Sequence, residues 1–333
     1  MFKPLTALAV GLSLALSGAA LAKEKIDFMF PAPVDGKLTM EMTRVIKQFN
    51  ESQQDVEVRG IFTGNYDTTK IKAESAQKAG QPPALVIMSA NFTTDLALKD
   101  EILPMDELFQ YGDQKAGDFL VKAFWPAMHK NAQVMGTTYA IPFHNSTPIL
   151  YYNKTMFDRA GIAQPPQTWA ELLADAKSKG VYQSFVMDEV FGKMEGSNAA
   201  IAMYYAGDYL TMLDNNPDLK FVVPKEGSNW FVDAMCVLKT AQHKEEAEAW
   251  INFIASTESN LANMDYIGYA SPNLEALEGY PAYYEETYGE PLDEERYEIM
   301  AAPDDVLARC ELYTNLPADT LTLYNDLWTE LGI

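Results

Sequence analysis

Ala84-Leu85-Val86-Ile87-Met88 is a continuous apolar run of strand length, set off by Pro82-Pro83 from the helical stretch before it. Such a run has no polar face to turn to water. It reads as a strand buried on both sides, the pattern of a sheet covered by helices. The preceding segments agree. Ile26, Phe28 and Phe30 alternate with Asp27 and Met29, which predicts a half-buried strand. Leu38, Met42, Val45, Ile46 and Phe49 then recur at helical spacing. Val56 to Phe62 is the next expected strand and Tyr66 to Lys78 the next helix. Strands and helices taken in turn imply βαβ units and a mainly parallel sheet.

Two adjacent strand-like runs follow, Thr138 to Phe143 and Pro148 to Tyr152, before Lys154 to Ala160 resumes as helix. Thr168-Trp169-Ala170-Glu171 is a capping box, with Leu172, Leu173 and Ala176 on the inner face of the helix it opens. Ala199 to Tyr205, Leu219 to Val223 and Trp230 to Leu238 read as strands. Glu245 to Ile254 reads as a helix, and so does Leu321 to Leu331. From Pro281 onward acidic residues far outnumber Arg296 and Arg309, the composition of a solvated face.

The first residues have an export pattern. Lys3 is a short basic region, Leu5 to Leu16 is apolar, and Ala20-Leu21-Ala22 is an A-x-A cleavage site. The apolar run is shorter than the ~20 residues a membrane helix needs. Residues 1–22 are therefore expected to be a cleavable signal peptide, and the mature product to be soluble and periplasmic. With 47 acidic and 25 basic residues the net charge is −22. That excess argues against nucleic acid, whose phosphates it would repel, and against an anionic membrane surface. Cys236 and Cys310 form no C-x-x-C pattern and are expected as two buried, unpaired thiols.

Familiar catalytic chemistry is missing from the sequence. His129, His144 and His243 share no metal-ligand spacing, and no H-E-x-x-H, G-x-S-x-G, phosphate-loop or G-x-G-x-x-G motif occurs. No cofactor and no metal is expected, and the chain is read as a non-enzyme.

Two resemblances cover the rest. Residues 25–179 resemble the family 1 solute-binding proteins that carry sugars and glycerol phosphates. The matching pieces are Gly64-Asn65-Tyr66-Asp67, Ser146-Thr147-Pro148-Ile149-Leu150-Tyr151-Tyr152-Asn153 and Pro165-Pro166-Gln167-Thr168-Trp169. Residues 181–333 resemble the spermidine/putrescine-binding proteins, through Met187-Asp188-Glu189-Val190-Phe191, Tyr204-Tyr205-Ala206-Gly207-Asp208, Phe231-Val232-Asp233-Ala234-Met235 and Tyr269-Ala270-Ser271-Pro272-Asn273. The chain looks like a junction of two family members near Ser178 to Tyr182. Both families imply one architecture, an α/β fold of two lobes joined by a double hinge, the type II periplasmic-binding-protein fold. The expected lobes are 23–147 with 232–275, and 148–231 with 276–333. The polyamine-binding family carries a longer stretch between the hinge crossing and the strand matched by Ala199 to Tyr205, so the second lobe is expected to be shortened and the cleft open on one side. That missing stretch holds an acidic pair for the ligand's far amine, and nothing here matches it.

The resemblance implies the solute-binding component of an ABC importer, a monomer that captures a small ligand and delivers it to an inner-membrane permease. A polyamine is the favoured ligand. A sugar or glycerol-phosphate-type solute, a periplasmic hydrolase or lyase on the same fold, and a non-binding chimera are the alternatives. By resemblance, Asp233 neutralises a ligand ammonium, because a buried cation without a partner is costly. Phe231, Tyr205 and Tyr269 match aromatics that pack on polyamine methylenes and attract ammonium groups. Ser89 matches a ligand-contacting Ser of the polyamine family; Tyr66 and Ser146 match contact positions of the sugar-type family. Trp230 is expected to face away from Phe231.

Overall fold

A computed structural model describes residues 22–331 apart from 32–36, 109–122, 126–127, 129–131, 173–179, 181–182, 185–188 and 314–315. Residues 1–21 of the expected signal peptide, His129, Met187-Asp188 and most of the junction segment lie outside the described residues. The first strand, β1 (Glu24–Phe30), pairs in parallel with β2 (Val56–Phe62) and with β3 (Leu85–Ser89). All five residues of β3 are buried, which is what its unbroken apolar run requires. Beyond the short ribbon β4 (Gln133–Val134) and β5 (Thr137–Thr138) come β6 (Ile141–Ser146) and β7 (Pro148–Asn153). Next in the chain are β8 (Ile201–Tyr205), β9 (Leu219–Val222), β10 (Asn229–Val237) and β11 (Glu311–Leu312).

Two principal sheets result. β10 returns from the second half of the chain and pairs antiparallel with both β3 and β6, while β11 extends its start in parallel. The first sheet is therefore mixed, with a parallel group of three strands and β10 running against it. The second sheet holds three antiparallel strands among the described residues, in the order β8–β7–β9. A single residue, Thr147, separates β6 in the first sheet from β7 in the second. The chain thus crosses between sheets at the string the sequence singles out.

Each sheet has its own core. Around the first, Phe28 and Phe49 set their rings edge-on against Trp250, at 5.6 and 5.3 Å between centroids. Trp250 comes from the helix Lys244–Ile254, whose inner stripe is Ala247, Trp250, Ile251 and Ile254. Around the second sheet pack Tyr151, Tyr209, Met264 and Tyr280. Trp230 and Val232 pack with Met128 in a third, small cluster, whereas Phe231 faces Tyr205. Cys236 and Cys310 are both free thiols; Cys236 is buried, but Cys310 is only half-buried, which corrects the expectation for it.

The acidic stretch beyond Pro281 is more structured than its composition suggests. The helix Leu274–Tyr288 runs through Pro281, which has no N–H to give to the Leu277 carbonyl. The Tyr297 hydroxyl donates to that carbonyl at 3.2 Å and replaces the missing bond. The capping box is present with a shift of one residue: the Glu171 N–H donates to Thr168 Oγ1 at 3.0 Å, but the Glu171 carboxylate accepts from the Gln167 N–H at 2.7 Å.

The turn before β10 is pinned by Gly227. Its φ is +86°, and a Cβ there would lie 1.8 Å from the Arg309 carbonyl oxygen. Gly80 is also left-handed, at φ +72°, but has open space around it. Gly80→Ala should cost about 1 kcal/mol for the backbone conformation alone. Gly227→Ala adds the overlap and should cost clearly more, moving Arg309 and β11. Urea denaturation midpoints of the two variants measure the difference, and equal midpoints would show that the turn is not held this way.

Candidate functional site

The carboxyl end of β3, the middle of β10 and the end of β6 meet at one edge of the first sheet. Asp233 sits between them, opposite Ser89 on β3 and His144 on β6. The β6–β10 register slips here: Asp233 faces His144 but Ala234 faces Pro142, leaving Phe143 as an extra residue. Pro142 has no N–H for the ladder, so a bulge beside it removes the conflict and re-aims neighbouring side chains. Tyr66 arrives from the helix Tyr66–Lys78, whose start is fixed by Asn65 Oδ1 accepting from the Thr68 N–H at 2.9 Å.

The Asp233 carboxylate is 1% exposed. Its Oδ2 accepts a hydrogen bond from the Tyr66 hydroxyl, while its Oδ1 has no partner among the described residues. His144 Nδ1 lies 3.2 Å from the same Oδ2 but is not aligned to donate to it, and has no hydrogen-bond partner among the described residues. Burial pushes the Asp233 carboxyl up to about 7, against the lowering effect of the Tyr66 bond. Burial also drives the His144 imidazole down to about 4. Tyr66 is held well above the usual phenol value by burial and by the facing carboxylate, so it remains a donor.

These groups line a cavity of about 700 Å³, counting the space open to solvent. Its walls are largely apolar and aromatic, with Phe30, Phe143 and Tyr269 among them. Two carboxylates reach it, Asp233 and Glu41. Glu41 is buried but paired with Arg44, whose Nε donates to it at 2.7 Å. Asn263 also lines the cavity, and its buried Oδ1 has no partner among the described residues. Among the described residues no Lys or Arg lines this cavity, and no group of three or more His, Cys, Asp or Glu is placed to hold a metal ion. Ser271, the only Ser, Thr or Cys among the cavity's described lining residues, donates to Asn260 Oδ1 at 2.7 Å.

Of the seven residues singled out by sequence, Asp233, Tyr66 and Tyr269 line this cavity. Ser146 and Tyr269 line a second, smaller cavity of about 380 Å³. Tyr205 and Phe231 face each other at 5.4 Å between ring centroids but line neither cavity. Ser89 stands beside Asp233 in the sheet, with its hydroxyl turned to Asn91 Oδ1 at 2.6 Å. The Tyr269 hydroxyl donates to Asp208 Oδ2 at 2.7 Å, and its ring lies over Gly207, where a Cβ would come within 2.3 Å of it. Sequence reasoning missed Glu41, His144 and Asn263. Glu41 was detectable as a carboxylate inside the apolar stripe of Leu38, Met42 and Val45. His144 becomes visible only once β6 and β10 are paired.

The chain matches, over residues 44–211, a family described as bacterial extracellular solute-binding protein, and over residues 176–283 a second family with the same description. It is 31% identical over 170 residues to the sn-glycerol-3-phosphate-binding periplasmic protein UgpB of Yersinia pestis, and 34% identical over 179 residues to UgpB of Salmonella typhi. These matches cover 50 and 52% of this chain but only 38 and 39% of the relatives' length. Among solved structures it is similar to the spermidine/putrescine substrate-binding protein PotD of Streptococcus pneumoniae, with 21% identity, TM-score 0.70 and coverage of 93% of this chain and 99% of that one. UgpB of Mycobacterium tuberculosis in complex with glycerophosphocholine is a second neighbour, with 16% identity, TM-score 0.64 and 87% coverage of each chain. At these identities the structural likeness shows the fold, that of periplasmic solute-binding proteins. With a matching family over half its residues and the two-sheet architecture on both sides of a crossing, the chain belongs to the bacterial extracellular solute-binding proteins.

Proposed function

We propose that this chain captures a small aliphatic amine, of the putrescine and spermidine class, and delivers it to an ABC permease. One observation carries the reading: a buried carboxylate with an unpartnered oxygen stands in an aromatic-walled cavity that no Lys or Arg lines among the described residues. A primary ammonium offsets the cost of that charge, and its methylenes suit the aromatic walls. In this reading the protein is exported to the periplasm and acts as a monomer without catalytic activity. The two lobes are centred on the two sheets, hinged at the crossing between β6 and β7 and closing on the ligand; Met264 packs with the second sheet and β11 pairs in the first, across the expected bounds of 23–147 with 232–275 and 148–231 with 276–333.

A second reading, an sn-glycerol 3-phosphate-type solute, is favoured by the sequence relatives of the first half. A thermal-shift screen followed by calorimetry separates the two, because a ligand held only by the folded state raises Tm. Putrescine or spermidine should raise Tm more than sn-glycerol 3-phosphate or a neutral sugar. A shift with the phosphate ester and none with either amine would overturn the amine reading.

A further inference from the structure

Residues 268–273 join the helix Thr257–Ile267 to the helix Leu274–Tyr288. On the side of the first sheet they are fastened by Asn145, near the end of β6. Its Nδ2 donates to the Ala270 carbonyl at 3.1 Å, and its Oδ1 accepts from the Trp230 indole of β10 at 3.1 Å. Asn145, Ala270 and Trp230 are all buried. Breaking this junction would leave a buried carbonyl and a buried indole N–H unpaired, so it is the fixed end of the segment.

The segment also reaches the second sheet, and there the hold is lighter. The Tyr269 hydroxyl donates to Asp208 Oδ2 at 2.7 Å. Asp208 stands in the first turn of the helix Ala206–Asn215, whose Tyr209, Leu210 and Met212 pack in the second core. The first N–H of that helix is tied to the Thr147 carbonyl at the crossing. Two glycines make the approach close enough. A Cβ at 207 would lie 2.3 Å from the Tyr269 ring, and one at 268, where φ is +75°, would lie 3.0 Å from the Gly207 carbonyl oxygen. Burial and the Asp208 charge hold the Tyr269 hydroxyl well above the ordinary phenol value, so it remains a donor. Tyr269 and Ala270 line both cavities, whereas Asp208 lines neither.

We propose that residues 268–273 form a strap between the lobes, and that the bond from Tyr269 to Asp208 is a latch that holds the lobes together and sets how fast a captured solute leaves. Asn145 anchors the strap. Asp208 is a positioning residue, which acts on the solute through Tyr269. The inference rests on the reading of two lobes that close on a solute, but not on the solute being an amine. With the Asn145 end fixed, a hinge motion that draws the helix Ala206–Asn215 away from β6 must break the Tyr269 bond. The same motion shifts a wall of the larger cavity, and this links the position of the lobes to the hold on the solute.

The test reads lobe separation in the full-length protein without ligand. Spin labels at Lys47→Cys and Asp158→Cys, exposed sites on the helices Lys37–Ser52 and Lys154–Arg159, report the distance between the lobes by pulsed electron resonance. A Cys310→Ser background removes the half-buried native thiol. Tyr269→Phe deletes only the hydroxyl and keeps the ring over Gly207, while Asp208→Ala deletes the acceptor. Each should lengthen or broaden the distance distribution, and the double variant should add nothing further, because a single bond is lost in all three. Asp208→Asn keeps an acceptor and should fall between wild type and Asp208→Ala. Spermidine release in stopped flow should be about tenfold faster in both single variants, the scale of one hydrogen bond to a charged group, with association nearly unchanged. A bond that served stability alone would lower Tm and move neither distance nor release. Should Asp208→Ala fail to fold, Tyr269→Phe carries the same test. A wild-type distance distribution in Tyr269→Phe would overturn the latch, even where spermidine binds normally. A lengthened distance without any spermidine binding would remove amine capture and leave the latch standing.

Discussion

Asp233→Asn should weaken putrescine or spermidine binding by about 2–5 kcal/mol, the scale for removing one partner of a buried charge pair. The substitution keeps the shape of the side chain and an oxygen to accept from Tyr66, so the loss isolates the charge. The same change should act in the opposite direction on the empty protein. The Asp233 carboxyl is pushed from 3.8 up to about 7, which means that the folded state disfavours its charged form. Above that pH the empty protein carries a buried, half-satisfied carboxylate costing up to about 4 kcal/mol, taking 1.36 kcal/mol per unit of displacement. Removing it should raise the Tm of the ligand-free protein while lowering affinity. A structural Asp would behave differently, since its loss would lower Tm and leave no specific effect on amines. Calorimetry with spermidine, beside thermal unfolding of both proteins without ligand, reads the two signs. Unchanged spermidine affinity in the variant, or no binding by the wild type at millimolar ligand, would remove amine capture from this protein.

The fold was readable where periodicity and burial say the same thing. Val56–Phe62 and Tyr66–Lys78 fall where the apolar spacing puts them, and Leu85–Ser89 begins one residue inside its apolar run. The helices Thr257–Ile267 and Leu274–Tyr288 were not readable, for identifiable reasons, whereas the last helix, Ala318–Leu331, begins three residues ahead of the stretch expected for it. Thr257–Ile267 buries Asn260 as well as Met264 and Ile267, so its inner stripe is partly polar. Leu274–Tyr288 contains a proline whose lost hydrogen bond is replaced by a hydroxyl from Tyr297, a partner that no local pattern can indicate. The mainly parallel sheet expected from alternating elements becomes mixed because β10 enters from a remote segment, and strand direction across a crossover is not written in spacing. The site divides the same way. Asp233, Tyr66 and Tyr269 could be named from motifs, because each stands in a string resembling a family. His144 and Asn263 could not: the first depends on a strand register and the second on a helix the sequence did not show.

Amine affinity should rise with pH up to about pH 7 and level off above it, by as much as tenfold per pH unit on the rising side. Below that value the empty Asp233 carboxyl holds a proton that an arriving ammonium displaces, so each binding event releases up to one proton. The amine itself stays protonated throughout, with a pKa near that of lysine at about 10. Tyr66 stays protonated as well. His144 contributes with the opposite sign to the stability of the empty protein. Its folded value of about 4 is depressed, so its contribution is present above the ordinary histidine value of about 6.5 and is lost as pH falls through about 4. The Asp233 contribution is full below about 4 and is lost as pH rises through about 7. The two windows overlap and oppose each other, so the empty protein's Tm should change little through that range, while the amine-induced rise in Tm grows with pH. Calorimetry in two buffers of different ionisation enthalpy, at about pH 6 and about pH 8, measures proton release directly. Asp233→Asn should abolish the release and flatten the profile. His144→Gln should leave both intact, because the displaced proton belongs to the carboxylate. Proton release that persists in Asp233→Asn would place the coupling on another group and take Asp233 out of contact with the ammonium.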